Sequence, residues 1–324
     1  MSVENALTSE EMAIGVAHSK LILIGEHAVV HGQPAISIPF PIVGVESIVC
    51  HKPGAIEFVS ELYEGPADEA PHFLHGMVYC MDATLDYLNL PRRDLNIEVR
   101  STIPPGKGLG SSASVAIALV RSLFAYAGKT YTKKELLMLA NVSETFAHGA
   151  PSGIDALTIA SDLPLWFEKG REIDYIKPKN DFHFVVADTG RVGDTKTAVE
   201  SVTNLLKTAP KRIQRKLSRL GELTYQARNA LEKASKQVLG QLLNEAQKEL
   251  EALGVSDAGL NRLIAFAREE GALGAKLTGG GNGGCIIALA KNELHSRQLT
   301  EKLKNFGAAK VWPFVLQQQD HLEG

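Results

Sequence analysis

Apolar residues recur along this chain in two rhythms. Residues 20–24 form a short continuous run, Lys20-Leu21-Ile22-Leu23-Ile24, that leads into a turn at Gly25, the mark of a buried strand. Residues 35–38 and 43–49 read as two further strands, broken by Pro39 and Pro41 because proline cannot donate to a ladder. Over residues 95–100, Leu95, Ile97 and Val99 alternate with polar neighbours, a half-buried strand of period two. The rhythm then changes. Residues 112–127 are apolar almost all round, which predicts a helix inside a domain, ended by Gly128. Thr132 and Glu135 have the spacing of a capping box and open a helix to about His148, before the turn Gly149-Ala150-Pro151-Ser152-Gly153.

The polar stretch Lys177-Pro178-Lys179-Asn180-Asp181 precedes an apolar strand at 182–188 and marks the expected boundary between a domain 1–178 and a domain 179–324. Beyond that strand the pattern is helical until a strand at 274–277. A glycine loop at 278–284, a strand at 285–290, a helix from Glu293 and a strand at 311–315 complete the series. Strands and helices mixed in two parts give an α+β class. A length of 324 residues exceeds what one small core needs and fits two domains. No internal repeat or low-complexity tail is present.

Composition narrows the function classes. With 44% hydrophobic and 22% charged residues the chain falls among ordinary globular proteins, and its net charge of -3 lacks the basic footprint of a general nucleic-acid binder. Lys211, Arg212, Arg215, Lys216 and Arg219 cluster within a helical pattern and read as a solvated helix face. Cys50, Cys80 and Cys285 are widely spaced and odd in number, which fits reduced thiols rather than a disulfide framework or zinc site. The first twelve residues lack a signal-peptide pattern, and no apolar run reaches the roughly 20 residues of a membrane span. A cytoplasmic enzyme with neither nucleic-acid nor membrane partners is expected.

The candidate chemistry begins with Pro104, Pro105, Gly106, Lys107, Gly108, Leu109, Gly110, Ser111 and Ser112, immediately before the apolar helix. A helix N-terminus presents N–H groups without partners, and glycines let a backbone approach an anion closely. The segment is neither GxxxxGK[ST] nor GxGxxG, but glycines and hydroxyls meeting at a helix start suit a nucleotide phosphate. Glu144 shares an i, i+4, i+8 row with Leu136 and Ala140. Either the helix turns it outward, or it is a buried carboxylate suited to Mg²⁺. Asp155 is a loop stabiliser or an acid–base group; Lys20 is a strand-end lysine reaching water or the partner of that aspartate. His27 and His31 lack the HExxH order of a zinc site, leaving a structural role or contact with a polar substrate. The glycines at 279, 280, 281, 283 and 284 imply a close backbone approach to something.

Three segments, residues 20–32, 104–114 and 276–285, together resemble the three motifs of the GHMP kinases, and they span the chain. Residues 25–32, Gly-Glu-His-Ala-Val-Val-His-Gly, resemble the mevalonate-phosphorylating members. His18-Ser19 replaces the Pro-Gly of many members before the lysine, in a form similar to that of low-GC Gram-positive bacteria. The resemblance implies an N-terminal ribosomal-protein-like α+β domain and a C-terminal ferredoxin-like α/β sandwich. It implies ATP-dependent phosphorylation of the mevalonate 5-hydroxyl, with Mg²⁺ as cofactor. By position, it makes Asp155 the proton acceptor, Lys20 its partner at the reacting oxygen, and Ser112 and Glu144 the Mg²⁺ ligands. Residues 104–112 become the ATP-binding loop, and Glu26, His27, Thr195 and Lys196 contact the substrate. Gly279, Gly280, Gly281 and Gly283 form a structural loop. ATP and mevalonate are the expected small-molecule partners, and a homodimer is one assembly it allows. A phosphomevalonate kinase, or a silent nucleotide-binding regulator on the same scaffold, are the rival readings.

Overall fold

A computed structural model describes residues 12–148, 153–193 and 195–319. The chain divides into two interleaved units. The first holds the residues up to Ser19, Val43–Pro104 and Gly110–Asp162; the second holds Lys20–Ile42, Pro105–Leu109 and everything from Leu163 onward. The division is discontinuous, where the sequence pattern suggests one cut near residue 178. The cause is the length of the first two strands, β1 (Ala13–Ile24) and β2 (Ala35–His51), which each supply residues to both units.

In the first unit, β3 (Glu57–Ser60) pairs antiparallel with β4 (Tyr63–Pro66). Helix α1 (His75–Leu88) leads to β5 (Leu95–Ser101), which pairs in parallel with β3 and antiparallel with residues 45–51 of β2. The alternation expected at Leu95, Ile97 and Val99 is present, with all three buried. Helices α2 (Ser111–Tyr126), α3 (Lys133–His148) and α4 (Ile154–Ile159) complete the unit. Helix α2 is buried along nearly its whole length because it lies directly on β1: a Cβ added to Gly15 would sit 2.2 Å from the Ala118 carbonyl oxygen. Ser47 and Ser122 share a hydrogen bond of 2.8 Å within that layer. The capping box at the start of α3 forms, with the Glu135 N–H donating to Thr132 Oγ1 at 3.2 Å and the Thr132 N–H to Glu135 Oε2 at 2.6 Å.

One strand differs from the sequence reading. Residues 35–38 and 43–49 are parts of a single 17-residue strand, β2, and the two prolines do not break it. Pro39 and Pro41 fall between the stretch paired with β6 (Leu165–Phe167), which ends at Ser37, and the stretch paired with β5, which begins at Val45. No ladder bond to β5 or β6 is asked of them there.

The second unit adds the short strand β7 (Asp174–Tyr175) beside β6 and then builds a separate antiparallel sheet. Strand β8 (Phe182–Asp188) is followed by helices α5 (Thr195–Thr208), α6 (Pro210–Glu232), α7 (Lys236–Ala252) and α8 (Ala258–Glu269). Strands β9 (Gly274–Thr278) and β10 (Cys285–Leu289), helix α9 (Glu293–Phe306) and strand β11 (Lys310–Leu316) follow. The strand order β11-β8-β10-β9 is the 4-1-3-2 order of a ferredoxin-like βαββαβ unit. All five residues of β9 and of β10 are buried, and Phe40 from β2 packs edge-on against Phe314 at 5.2 Å between ring centroids. The basic run on α6 is the solvated face expected, with Lys211, Arg212 and Arg215 exposed, Lys216 3.1 Å from Glu249 and Arg219 2.6 Å from Glu245. The three cysteines are free thiols, and burial pushes Cys80 up to about 12. No helix among the described residues is long and apolar enough to cross a membrane.

Candidate active site

In the first unit the candidate groups gather at the start of α2 and on its neighbours. Gly110 caps the helix at φ +77, and Ser111 and Ser112 are its first two residues. Glu144 lies on the same buried row of α3 as Leu136 and Ala140, at 5% exposure, so the inward rotation of this helix is the one that occurs. Its carboxylate accepts from the Ser112 hydroxyl at 2.5 Å. A buried carboxylate and a hydroxyl in contact at a helix N-terminus form a hard-oxygen donor set of the kind that suits Mg²⁺. No cluster of three or more His, Cys, Asp or Glu that could hold a metal is found among the described residues, so phosphate oxygens and water would have to supply the remaining ligands. Ser114 fixes the helix start by donating to the Gly110 carbonyl at 3.0 Å and to the His18 carbonyl at 2.9 Å. Asp155 is half-buried in the first turn of α4, after Gly153 at φ +79. The preceding residues of its motif, Pro151 and Ser152, lie outside the described residues.

In the second unit the turn after β1 carries Glu26 and His27, both buried. Gly25 takes φ +102, and a Cβ there would meet the Pro34 carbonyl oxygen at 2.5 Å. His27 itself is held at φ +59, uncommon for a residue with a side chain. Its Nε2 lies 2.9 Å from the Gly280 carbonyl oxygen. A carbonyl only accepts, so Nε2 carries the proton and Nδ1 presents a bare lone pair. Burial pulls His27 down to about 4, so the ring is neutral at pH 7. Glu26 forms an ion pair with Lys276 of β9, both fully enclosed. Burial pushes the Glu26 carboxyl up and the Lys276 ammonium down, each partly offset by the partner's charge. Glu26 Oε2 and His27 Nδ1 are buried with no hydrogen-bond partner among the described residues. Two adjacent acceptors thus lack donors, a need that hydroxyls of a bound molecule would meet.

Lys20 is buried in the same unit, at the point where β1 passes into it, and its N–H donates to the Leu109 carbonyl at 3.2 Å. Gly106 and Gly108 adopt φ +66 and +73 on either side of Lys107. The Lys107 ammonium faces the protein rather than solvent, 3.0 Å from Asp188 Oδ1 and 2.9 Å from the Arg191 carbonyl oxygen. What this residue offers a phosphate is therefore its backbone. Thr195 and Lys196 open α5 and are exposed, with the Thr195 hydroxyl 2.5 Å from where a Cβ on Gly280 would lie. The close approach expected of the glycine loop is made to the chain itself. A Cβ at Gly281 would lie 2.0 Å from the Val255 carbonyl oxygen, one at Gly283 2.7 Å from that of Val192, and one at Gly279 3.1 Å from the Gly108 Cα.

Sequence reasoning missed the roles of Lys276 and Asp188. Each is a lone charge in an otherwise apolar strand, and such a charge needs a buried counter-ion; that is the signal available in the sequence.

Known proteins resemble this chain in sequence and in fold. The family description "GHMP kinases N terminal domain" matches residues 74–161, and "GHMP kinases C terminal" matches residues 227–309. A curated mevalonate kinase of Pyrococcus horikoshii is 33% identical over 297 residues, covering 85% of this chain and 87% of its own. The crystal structure of L. major mevalonate kinase in complex with R-mevalonate has a TM-score of 0.84 at 26% identity, covering 98% of this chain and 99% of that one. Mevalonate kinase from methicillin-resistant Staphylococcus aureus has a TM-score of 0.72 at 32% identity, covering 94% and 98%. The expectation of a Gram-positive form from His18-Ser19 is corrected by these matches: the archaeal relative, at 33%, is as similar as the staphylococcal protein, at 32%.

Proposed function

The chain belongs to the GHMP kinase family, and from that premise we propose that it transfers the γ-phosphoryl group of ATP to the 5-hydroxyl of mevalonate, yielding 5-phosphomevalonate and ADP for isoprenoid synthesis. The observation that carries the reading is the hydrogen bond between the exposed Ser112 hydroxyl and the buried Glu144 carboxylate at the first turn of α2, preceded by glycines in left-handed conformation at 106, 108 and 110. Such a helix start favours a polyphosphate and its divalent cation.

Phosphoryl transfer asks little covalent chemistry of a protein; it asks for alignment and for neutralisation of charge on the phosphate oxygens. Mg²⁺, held through Ser112 and Glu144, supplies part of that neutralisation when bound. The backbone of residues 105–110 supports the phosphates. Asp155 accepts the proton of the attacking hydroxyl, and Lys20 offsets charge that grows on the oxygen. Glu26 and the neutral His27 accept hydrogen bonds from substrate hydroxyls, which accounts for their two unpartnered acceptors. Lys196 is assigned to the substrate carboxylate.

The test is ADP release by the purified protein with MgATP and either mevalonate or phosphomevalonate, with the product identified by ³¹P NMR. Mg²⁺-dependent turnover of mevalonate to a 5-phosphate is expected. Preferential turnover of phosphomevalonate would move the protein to the next kinase of that route, and nucleotide binding without turnover of either would make it a regulator.

A further inference from the structure

A lysine inside a glycine-rich phosphate loop invites reading as a phosphate ligand, yet Lys107 is turned the other way. Its residue exposure is 8%, that of Asp188 is 3%, and the ammonium lies 3.0 Å from the carboxylate. A second ammonium hydrogen is spent on the Arg191 carbonyl at 2.9 Å. The same Asp188 oxygen accepts from the Gly190 N–H at 2.8 Å, which bends the chain sharply after β8. That bend returns support to the loop, since the Gly193 N–H donates to the Gly106 carbonyl at 2.8 Å. The bend is also tied to the second glycine loop. The Gly284 N–H donates to the Arg191 carbonyl at 2.9 Å, and a Cβ on Gly284 would lie 3.1 Å from the Lys107 carbonyl oxygen. Three segments distant in sequence thus close around one buried ion pair.

We infer that Lys107 and Asp188 form an internal strut that sets the backbone of residues 105–109, making both of them positioning residues for nucleotide binding rather than nucleotide contacts. The physical reason is that Gly106 and Gly108 leave this backbone unusually free, and freedom that must be lost on binding weakens binding. A buried pair with defined geometry removes that freedom before the ligand arrives. The inference rests on the kinase reading above for the identity of the ligand, but not for the existence of the strut.

Three variants decide it: Lys107→Met, Asp188→Asn and the two combined, the asparagine keeping an oxygen for the Gly190 N–H. Hydrogen exchange of the nucleotide-free proteins is followed at the amides of 106–109, together with calorimetric titration of a non-hydrolysable ATP analogue with Mg²⁺. Each single variant is expected to quicken exchange in the loop and to weaken the analogue by about 10-fold. The double variant should show nearly the same loss, not a product of about 100-fold, because both changes remove one interaction. In turnover assays the KM for ATP rises while the KM for the acceptor and kcat at saturating ATP stay within about 2-fold. Wild-type exchange in the variants, or an Asp188→Asn protein that binds the analogue normally while Lys107→Met does not, overturns the strut in favour of direct contact. Where a single variant fails to fold because one charge is left buried alone, the double variant's loop exchange decides by the same criterion. No turnover of mevalonate together with quickened exchange faults the kinase reading and spares the strut; intact turnover with unchanged exchange does the reverse.

Discussion

In the segment 105–110, glycines alternate with larger residues, and Gly106, Gly108 and Gly110 take φ of +66, +73 and +77. In the segment 279–284, five of six residues are glycine, and Gly279, Gly281, Gly283 and Gly284 lie between +79 and +117. What surrounds them differs. The nearest atoms a Cβ on Gly106 would meet belong to the Val192 side chain, at 2.5 Å, and that valine is 69% exposed and free to turn away. Cβ atoms on Gly281 and Gly283 would strike main-chain carbonyl oxygens of Val255 and Val192. The first segment uses glycine for conformation and keeps its surroundings adaptable; the second uses it so that backbone can press on backbone. Glycine content alone therefore does not separate a ligand loop from a packing loop.

That contrast is open to direct attack. The largest effect belongs to Gly281→Ala, where the Val255 oxygen 2.0 Å from the new methyl also accepts from the Asn282 N–H and cannot easily retreat. With φ at +79 adding strain, a stability loss above ~3 kcal/mol in urea unfolding is expected. Next comes Asp155→Asn, in neither loop, which should lower kcat by at least ~10²-fold with the urea midpoint unchanged. An unaltered kcat in a folded variant would remove Asp155 from the chemistry. Gly106→Ala should cost only about 1–2 kcal/mol, the usual penalty for a Cβ in the left-handed region, while weakening the ATP analogue by about 10-fold. If it proved as disruptive as Gly281→Ala, the distinction between the loops would fail.

The smallest effect concerns the hydrogen bond from His27 to the Gly280 carbonyl. His27 is held near 4 in the folded protein and is near 6.5 when unfolded. As pH falls below 6.5 the unfolded chain takes up the proton first, so stability declines with falling pH until about 4. Between pH 7.5 and 5.5 this amounts to roughly 1 kcal/mol. The difference in urea stability between those pH values should shrink by that amount in His27→Gln, and an identical pH slope in both proteins would contradict it.

Local signals made much of this structure legible. Strand β8 falls where its apolar pattern places it and α9 starts at Glu293 as expected, with the Asn292 side chain capping it by accepting from the His295 N–H at 2.9 Å. The spacing of Leu136, Ala140 and Glu144 put them on one row of α3, because a helix enforces that row, while its inward turn was left open by the spacing and is decided by the fold. Features fixed by distant partners were not legible. Pro39 and Pro41 look like strand breakers until the neighbours of β2 are known. Lys276 and Glu26 are 250 positions apart, and no local pattern says which of the chain's acids answers a lone buried lysine. Lys107 reads as a phosphate ligand from its loop, and only the position of Asp188 turns it inward.

The sheet order of the second unit constrains how a ribosome can deliver this protein. Strand β8 is flanked by β10 and β11, and it pairs with β11 over seven residues from Lys310 to Leu316. The emerging polypeptide must hold β8 with at least one side unpaired until Lys310–Leu316 is translated, and with both sides unpaired until Cys285–Leu289 emerges. Its early segment 20–42, which belongs to the same unit, waits longer still. Maturation should accordingly be slow and late, gated by synthesis of the final strand, with the nascent β8 edge the place where chaperones are needed most.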